Sequence, residues 1–155
     1  MALIRAATAD DVDAMAAVWL RSALTAYAGI FPEDAPKPTH EQLVEVLTGG
    51  DCLVAIGGDG VGGGVVGLVQ AEDGWLSHLY VDPDHWGRRI GTALHDAAVE
   101  RLRADGGGGV ARLWVLRENK LARAMYERRG WTLTDEVRPV YAPAGVDDVQ
   151  YRLDL

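Results

Sequence analysis

The 155 residues are 48% apolar and 25% charged, the balance of a soluble globular chain and enough for one domain spanning 1–155 with a core of its own. A net charge of −8 argues against general nucleic-acid binding, which uses basic patches to displace counterions, and no apolar run approaches the ~20 residues of a membrane span. The lone Cys52 excludes an intrachain disulfide, and the first residues lack a secretory pattern, so a cytoplasmic protein is the expectation.

Leu3-Ile4-Arg5 reads as a short strand. Thr8, Asp10 and Asp11 then supply a cap and first-turn acids for a helix whose apolar face carries Val12, Met15, Ala16, Trp19 and Leu20, expected to run to about Tyr27. Ala28 to Pro38 is broken by three prolines and is either a wall over a binding site or a connector whose Ile30 and Phe31 plug the core. Thr39 and Gln42 fit a capping box opening a short helix through Leu43, Val46 and Leu47, with His40 exposed in its first turn and Gly49-Gly50 as its stop.

A strand from Cys52 to Ile56 follows, in which Cys52 is a buried, inert thiol. Gly57-Gly58-Asp59-Gly60 reads as the turn of a hairpin into a strand from Val65 to Ala71. The glycines between Gly57 and Gly67 do not make a phosphate loop, because they lack a Gly-Lys-Ser/Thr ending and lead into another β run. Glu72-Asp73-Gly74 is a second turn, into a strand from Trp75 to Val81.

That strand stops at Asp82-Pro83, and after a short polar loop the residues Ile90, Ala93, Leu94, Ala97, Ala98 and Leu102 mark one face of a helix from about Arg89 to Ala104. The first N–H groups of a helix have no intrahelical partner and carry the positive end of its dipole. Gly87 and Gly91 keep side chains away from those amides and Arg88 and Arg89 add cationic donors, which together predict a site for a phosphorylated ligand.

Gly106 to Gly109 reads as a surface connector to a strand from Val110 to Leu116. Asn119 then opens a helix carrying Leu121, Ala122, Met125 and Tyr126, closed by Gly130. Trp131 to Val140 and Val149 to Leu155 are the last two strands, with Pro139 and Pro143-Ala144-Gly145 confining their junction to a loop or edge.

The stretch Leu79-Tyr80-Val81-Asp82-Pro83, followed by Trp86-Gly87-Arg88-Arg89-Ile90-Gly91, resembles the acetyl-CoA motif of the GCN5-related N-acetyltransferases. Trp86 stands where the family has Gln or Arg, and Arg89 where it has the middle Gly. The run from Asn119 through Ala122 and Tyr126 to Gly130-Trp131 follows at the family's separation, so the resemblance extends from about Trp75 to Trp131. It implies an α/β (α+β) fold with a mixed central sheet of about seven strands, the fourth and fifth splayed apart, flanked by about four helices. The element order β-α-α-β-β-β-α-β-α-β-β matches it.

The resemblance further implies acetyl-CoA as cosubstrate and no metal. Leu79, Tyr80 and Val81 would meet the thioester and pantetheine through their backbone, and Trp86, Gly87, Arg88, Arg89, Ile90, Gly91 and Thr92 would hold the pyrophosphate. Asn119 would touch the pantetheine as well as cap its helix, and Tyr126 would protonate the departing sulfur as general acid. For the acceptor the aromatic residues Trp19, Tyr27, Phe31, Trp75 and Tyr141 are the candidates. A general base is less defined: strand alternation sets His78 on the face opposite Trp75, Ser77 and Leu79, and Glu72, Asp73 or a water chain stay open.

The function expected is acetyl transfer to a primary amine of a small molecule, a cationic one given the acidic chain. A peptide or protein amino terminus is the alternative acceptor, and an acyl-CoA sensor without catalysis is the alternative of another class. A homodimer is left open.

Overall fold

The computed structural model describes residues 2–58, 63–106 and 108–155. Its elements are β1 (Leu3–Ala6), α1 (Val12–Ala26), α2 (His40–Thr48), β2 (Cys52–Ile56), β3 (Val65–Glu72), β4 (Trp75–Val81), α3 (Ile90–Ala104), β5 (Val110–Leu116), α4 (Lys120–Arg128), β6 (Thr132–Tyr141) and β7 (Val146–Asp154). Single 3-10 turns occupy Ala9–Asp11, Pro83–His85 and Ala142–Ala144. Asp59 and Gly60 of the expected hairpin turn, and Gly107 of the expected connector, lie outside the described residues.

Local signals set most boundaries. Asp11 accepts from Thr8 N–H at 2.7 Å and pairs with Arg5 at 2.7 and 3.0 Å, tying the start of α1 to β1. At α2, Thr39 Oγ1 accepts from Gln42 N–H while Gln42 Oε1 accepts from Thr39 N–H, the reciprocal pairing that satisfies two orphan donors. β7 starts earlier than its apolar run suggests, at Val146, because Ala142–Ala144 and the left-handed Gly145 (φ 66°) close a tight β6–β7 hairpin. Pro139 falls inside β6, next to a register irregularity of that edge strand, where a missing N–H is tolerated.

The strands form one sheet in the order β1-β2-β3-β4-β5-β7-β6, antiparallel throughout except for β4 beside β5. One face is covered by α3 and α4, with Leu94, Ala98 and Leu102 packed over Val69, Leu76, Leu113 and Tyr151. The other is covered by α1 and α2, with Met15, Val18, Leu43 and Leu47 over Val54 and Leu68. A Cβ on Gly67 would sit 2.8 Å from Leu94 Cδ1, so this glycine is what lets α3 approach β3.

Two irregularities of β4 shape the cleft. β4 and β5 share a single register pair, Trp75↔Arg112, reinforced by Arg112 N–H donating to Gly74 O at 2.9 Å, and beyond it the strands diverge. Against β3, His78 opposes Gln70 while Leu76 opposes Ala71, so Ser77 is bulged out of register. The bulge corrects the simple alternation: His78 shares its face with Trp75 and remains opposite Leu79.

Candidate active site

The divergence of β4 from β5 opens a cleft of about 720 Å³ whose walls are β4, the loop into α3, β5, α4 and the β6–β7 pair. Asp82 N–H donates to Val66 O at 2.8 Å, which fixes the phase of the β3–β4 ladder. By the alternation of an antiparallel pair, the N–H and C=O of Tyr80 turn toward β3, while those of Leu79 and Val81 turn into the gap. The backbone donors expected from Leu79 to Val81 therefore reduce to Leu79 and Val81, and Tyr80 contributes its side chain instead.

The loop is held from both ends. Asp82 accepts from Asp84 N–H at 3.1 Å and from Arg21 at 2.5 Å, joining the loop to α1. Burial opposes ionisation of Asp82, but Arg21 and the Asp84 N–H outweigh it and its pKa lies below the ordinary carboxylate value. The Trp86 indole N–H donates to Val81 O at 2.8 Å and so takes one acceptor of the gap-facing strand edge. Gly87 (φ 79°) and Arg89 (φ 61°) are both left-handed, turning the chain abruptly into α3. Ala93 N–H is the first to bond back, to Arg89 O, leaving the amides of Ile90, Gly91 and Thr92 without intrahelical partners at the cleft. Apart from its chain neighbours, no atom of the described residues lies within 4 Å of where a Gly87 Cβ would stand. Free amides, open space and the Arg89 side chain in the lining fit a phosphate group.

Tyr126 lines the opposite wall from α4. Its ring packs edge-on to Trp131 with centroids 6.0 Å apart, and its hydroxyl has no hydrogen-bond partner among the described residues. Burial, then the nearby Tyr27, push its pKa well above the usual value, so it carries its proton throughout the neutral range. Asn119 Oδ1 accepts from Ala122 N–H at 3.3 Å, capping α4 at the cleft.

A model of the acetyltransferase (GNAT) family matches residues 16–131. The chain belongs to that family. An uncharacterized N-acetyltransferase of Methanocaldococcus jannaschii is 36% identical over 89 residues, half of this chain and 39% of that protein. A mycothiol acetyltransferase of Beutenbergia cavernae is 46% identical over 63 residues, 41% of this chain and 21% of that protein. The chain thus spans less than half the length of the curated relatives it matches. The crystal structure of PaiA N-acetyltransferase from Thermoplasma acidophilum in complex with coenzyme A superposes with a TM-score of 0.75 at 21% identity, covering 100% of this chain and 99% of that one.

In this GNAT chain the cleft gathers Leu79, Tyr80, Val81, Trp86, Gly87, Arg89, Ile90, Gly91, Thr92, Asn119 and Tyr126. Arg88 is exposed and outside the lining. Of the acceptor aromatics, Tyr27 and Phe31 line the cleft, and Tyr27 Oη lies 3.2 Å from Tyr80 Oη. Trp19 stands one layer back, stacked on Tyr80 at 5.0 Å and close to His78 at 4.3 Å. Trp75 stacks on Trp114 behind the lining, and Tyr141 packs on Phe31. Glu72 and Asp73 sit at the closed end of the β3–β4 hairpin, away from the cleft.

His78 does line the cleft, but burial and then Arg138 lower its pKa to about 4, so it is neutral. The sequence reading missed Trp114, Arg138 and Asp148, which come together on the Trp75 side of the sheet. Arg138 Cζ lies 4.5 Å from the Trp114 ring centroid, and Arg138 Nε donates to Asp148 Oδ2 at 2.9 Å, with Nη2 in ion-pair distance of the same oxygen at 2.9 Å. The three lie on three different strands, 24 and 10 residues apart in the chain, and only the β5–β7–β6 register brings their side chains together.

Proposed function

We propose that the protein is an acetyl-CoA-dependent N-acetyltransferase that moves an acetyl group to a primary amine of a small molecule, within one domain over residues 1–155. The observation that carries this reading is the gap between β4 and β5, bordered at one end by the unpartnered amides of α3 and along one side by the outward N–H groups of Leu79 and Val81. The amides of Ile90, Gly91 and Thr92, with Arg89, would hold the pyrophosphate. The strand edge would hold the pantetheine as an added strand does, and the Leu79 and Val81 donors would face the thioester oxygen where negative charge develops.

Tyr126 is the general acid of this reading. Its raised pKa keeps a proton available for the departing thiolate, and Tyr126 lines the cleft with no hydrogen bond to its hydroxyl among the described residues. Coenzyme A in the Thermoplasma acidophilum structure and the acetyltransferase names of the two relatives support the donor. Tyr27, Phe31 and Trp114 on the far side favour a small organic acceptor with an apolar body.

Two measurements test the reading. Coenzyme A at 100 times its Kd should raise the folded state's stability by about 2.7 kcal/mol. Release of free thiol from acetyl-CoA should then depend on an added amine; stabilisation with no turnover across a broad amine panel overturns catalysis and leaves a binding domain.

A further inference from the structure

Asp148 is a buried carboxylate in the acceptor half of the cleft, only 8% exposed, whose two oxygens are treated unequally. Arg138 Nε donates to Oδ2 and Nη2 lies 2.9 Å from the same oxygen, while Oδ1 has no hydrogen-bond partner among the described residues. Oδ1 is not sealed from solvent, and Asp148 lines the cleft. Asp148 is the register partner of Leu116, four residues along β5 from Arg112, where β5 pairs with β4, and so lies where the two strands have separated. Asp148 shares its sheet face with Arg138, Trp114 and His78.

The surroundings suit a cation with an apolar body. Tyr27, Phe31 and Trp114 line the same space. The charged and titratable groups facing Asp148 are Arg138 from β6, Tyr27 from the end of α1 and the neighbouring Asp147, itself 3.8 Å from Arg117. Burial raises the Asp148 pKa and Asp147 adds to it, while Arg138 works against both. Neutral His78 and protonated Tyr126 offer no anion to an arriving ammonium, which leaves Asp148 to do so.

We infer that Asp148 is the acceptor site of the reaction proposed above, on which this inference rests: Oδ1 binds the ammonium group of a basic primary amine and takes its proton, and Arg138 holds the carboxylate in position. The proton passes from nitrogen to Oδ1, and the freed lone pair forms the C–N bond to the acetyl carbon as the C–S bond breaks. The sulfur takes the Tyr126 hydroxyl proton, the second proton shed by the new amide nitrogen restores that hydroxyl, and Asp148 releases its proton to water.

The test compares two amines of similar shape, 2-phenylethylamine, charged at neutral pH, and aniline, already neutral. In Asp148→Asn, kcat/KM for 2-phenylethylamine should fall about 100-fold, and for aniline stay within about threefold, with stabilisation by coenzyme A retained. Equal losses for both amines would make Asp148 a structural residue and overturn the inference alone. No amine-dependent thiol release by the unaltered protein would overturn the acetyltransferase reading and the inference with it. A second variant, Arg138→Gln, leaves the carboxylate in place but removes the guanidinium that opposes its raised pKa. The acid limb of the 2-phenylethylamine profile should then move to higher pH, and an unmoved limb overturns the assignment.

Discussion

Trp131 donates its indole N–H to His95 Nε2 at 2.8 Å, and both rings pack beside Tyr126, with centroids 6.0 and 6.2 Å away. With Nε2 an acceptor, His95 must carry its proton on Nδ1, which lies 2.8 Å from Asp96 Oδ1. This selects one neutral tautomer. A proton on Nε2 would point at the Trp131 N–H, and burial lowers the His95 pKa despite the opposing pull of Asp96.

Stability should therefore depend on pH in a predictable sense. The unfolded chain binds a proton at His95 near the usual pKa of about 6.5, and the folded chain only at lower pH. The stabilisation is complete above about pH 6.5 and declines as the pH falls toward the folded value, with His78 acting in the same direction down to about 4. Thermal unfolding between pH 7 and 5 should show Tm falling, and Trp131→Phe should be less stable at pH 7 by about 1–3 kcal/mol, since His95 Nε2 loses its donor. A flat Tm across that range would contradict the buried neutral imidazole.

Removing the Tyr126 hydroxyl should act on chemistry and not on the donor site. Tyr126→Phe is expected to lower kcat by about 100-fold, the low end of a positioned general acid, while the coenzyme A thermal shift is unchanged. Because burial raises this pKa, no loss of activity assignable to Tyr126 should occur below pH ~10. An unaltered, chemistry-limited kcat would remove Tyr126 from the mechanism.

Arg89 offers a sharper test of the phosphate loop, since it holds a left-handed conformation (φ 61°) that glycine adopts without cost. Arg89→Gly should relieve about 1 kcal/mol of backbone strain and raise the Tm of the unliganded protein. If the guanidinium pairs with a phosphate, the same substitution should weaken coenzyme A binding by about tenfold. Tighter binding together with a higher Tm would show that Arg89 only strains the loop.

At the other end of the chain, Asp11 fastens α1 to β1 through Arg5 and Thr8. Arg5 first, with Thr8, lowers its pKa to about 2 against the opposing effect of burial. The stabilisation should be fully present above pH ~4 and lost as the pH falls toward 2. Asp11→Asn should cost about 1–2 kcal/mol at pH 7 by denaturant unfolding, and should flatten the acid side of the stability profile below pH ~4.

Residues that announce local structure were read correctly from the chain alone. The Thr39–Gln42 box, the strand from Cys52 to Ile56, the Asp82-Pro83 stop and the Asn119 cap were all legible, because each depends on neighbours within a few positions. Gly87, Gly91 and Arg89 do line the cleft at the start of α3, whereas Arg88 does not. His78 was set on the wrong side of Trp75 because the Ser77 bulge exists only in the pairing with β3. Trp19 and Trp75 were expected at the acceptor but stand one layer behind Tyr80 and Trp114.

By itself the sequence determined the order of the elements, the glycine-containing turn into α3 and the place of Tyr126 on α4, since periodicity, capping and turn chemistry are short-range and written in contiguous residues. Tertiary structure alone decided the shape of the cleft around Trp114, Arg138 and Asp148. The separation of β4 and β5 after Trp75↔Arg112 and the convergence of Trp114, Arg138 and Asp148 arise from register between strands distant in the chain. A one-residue change in that register would send each of those side chains to the other face of the sheet.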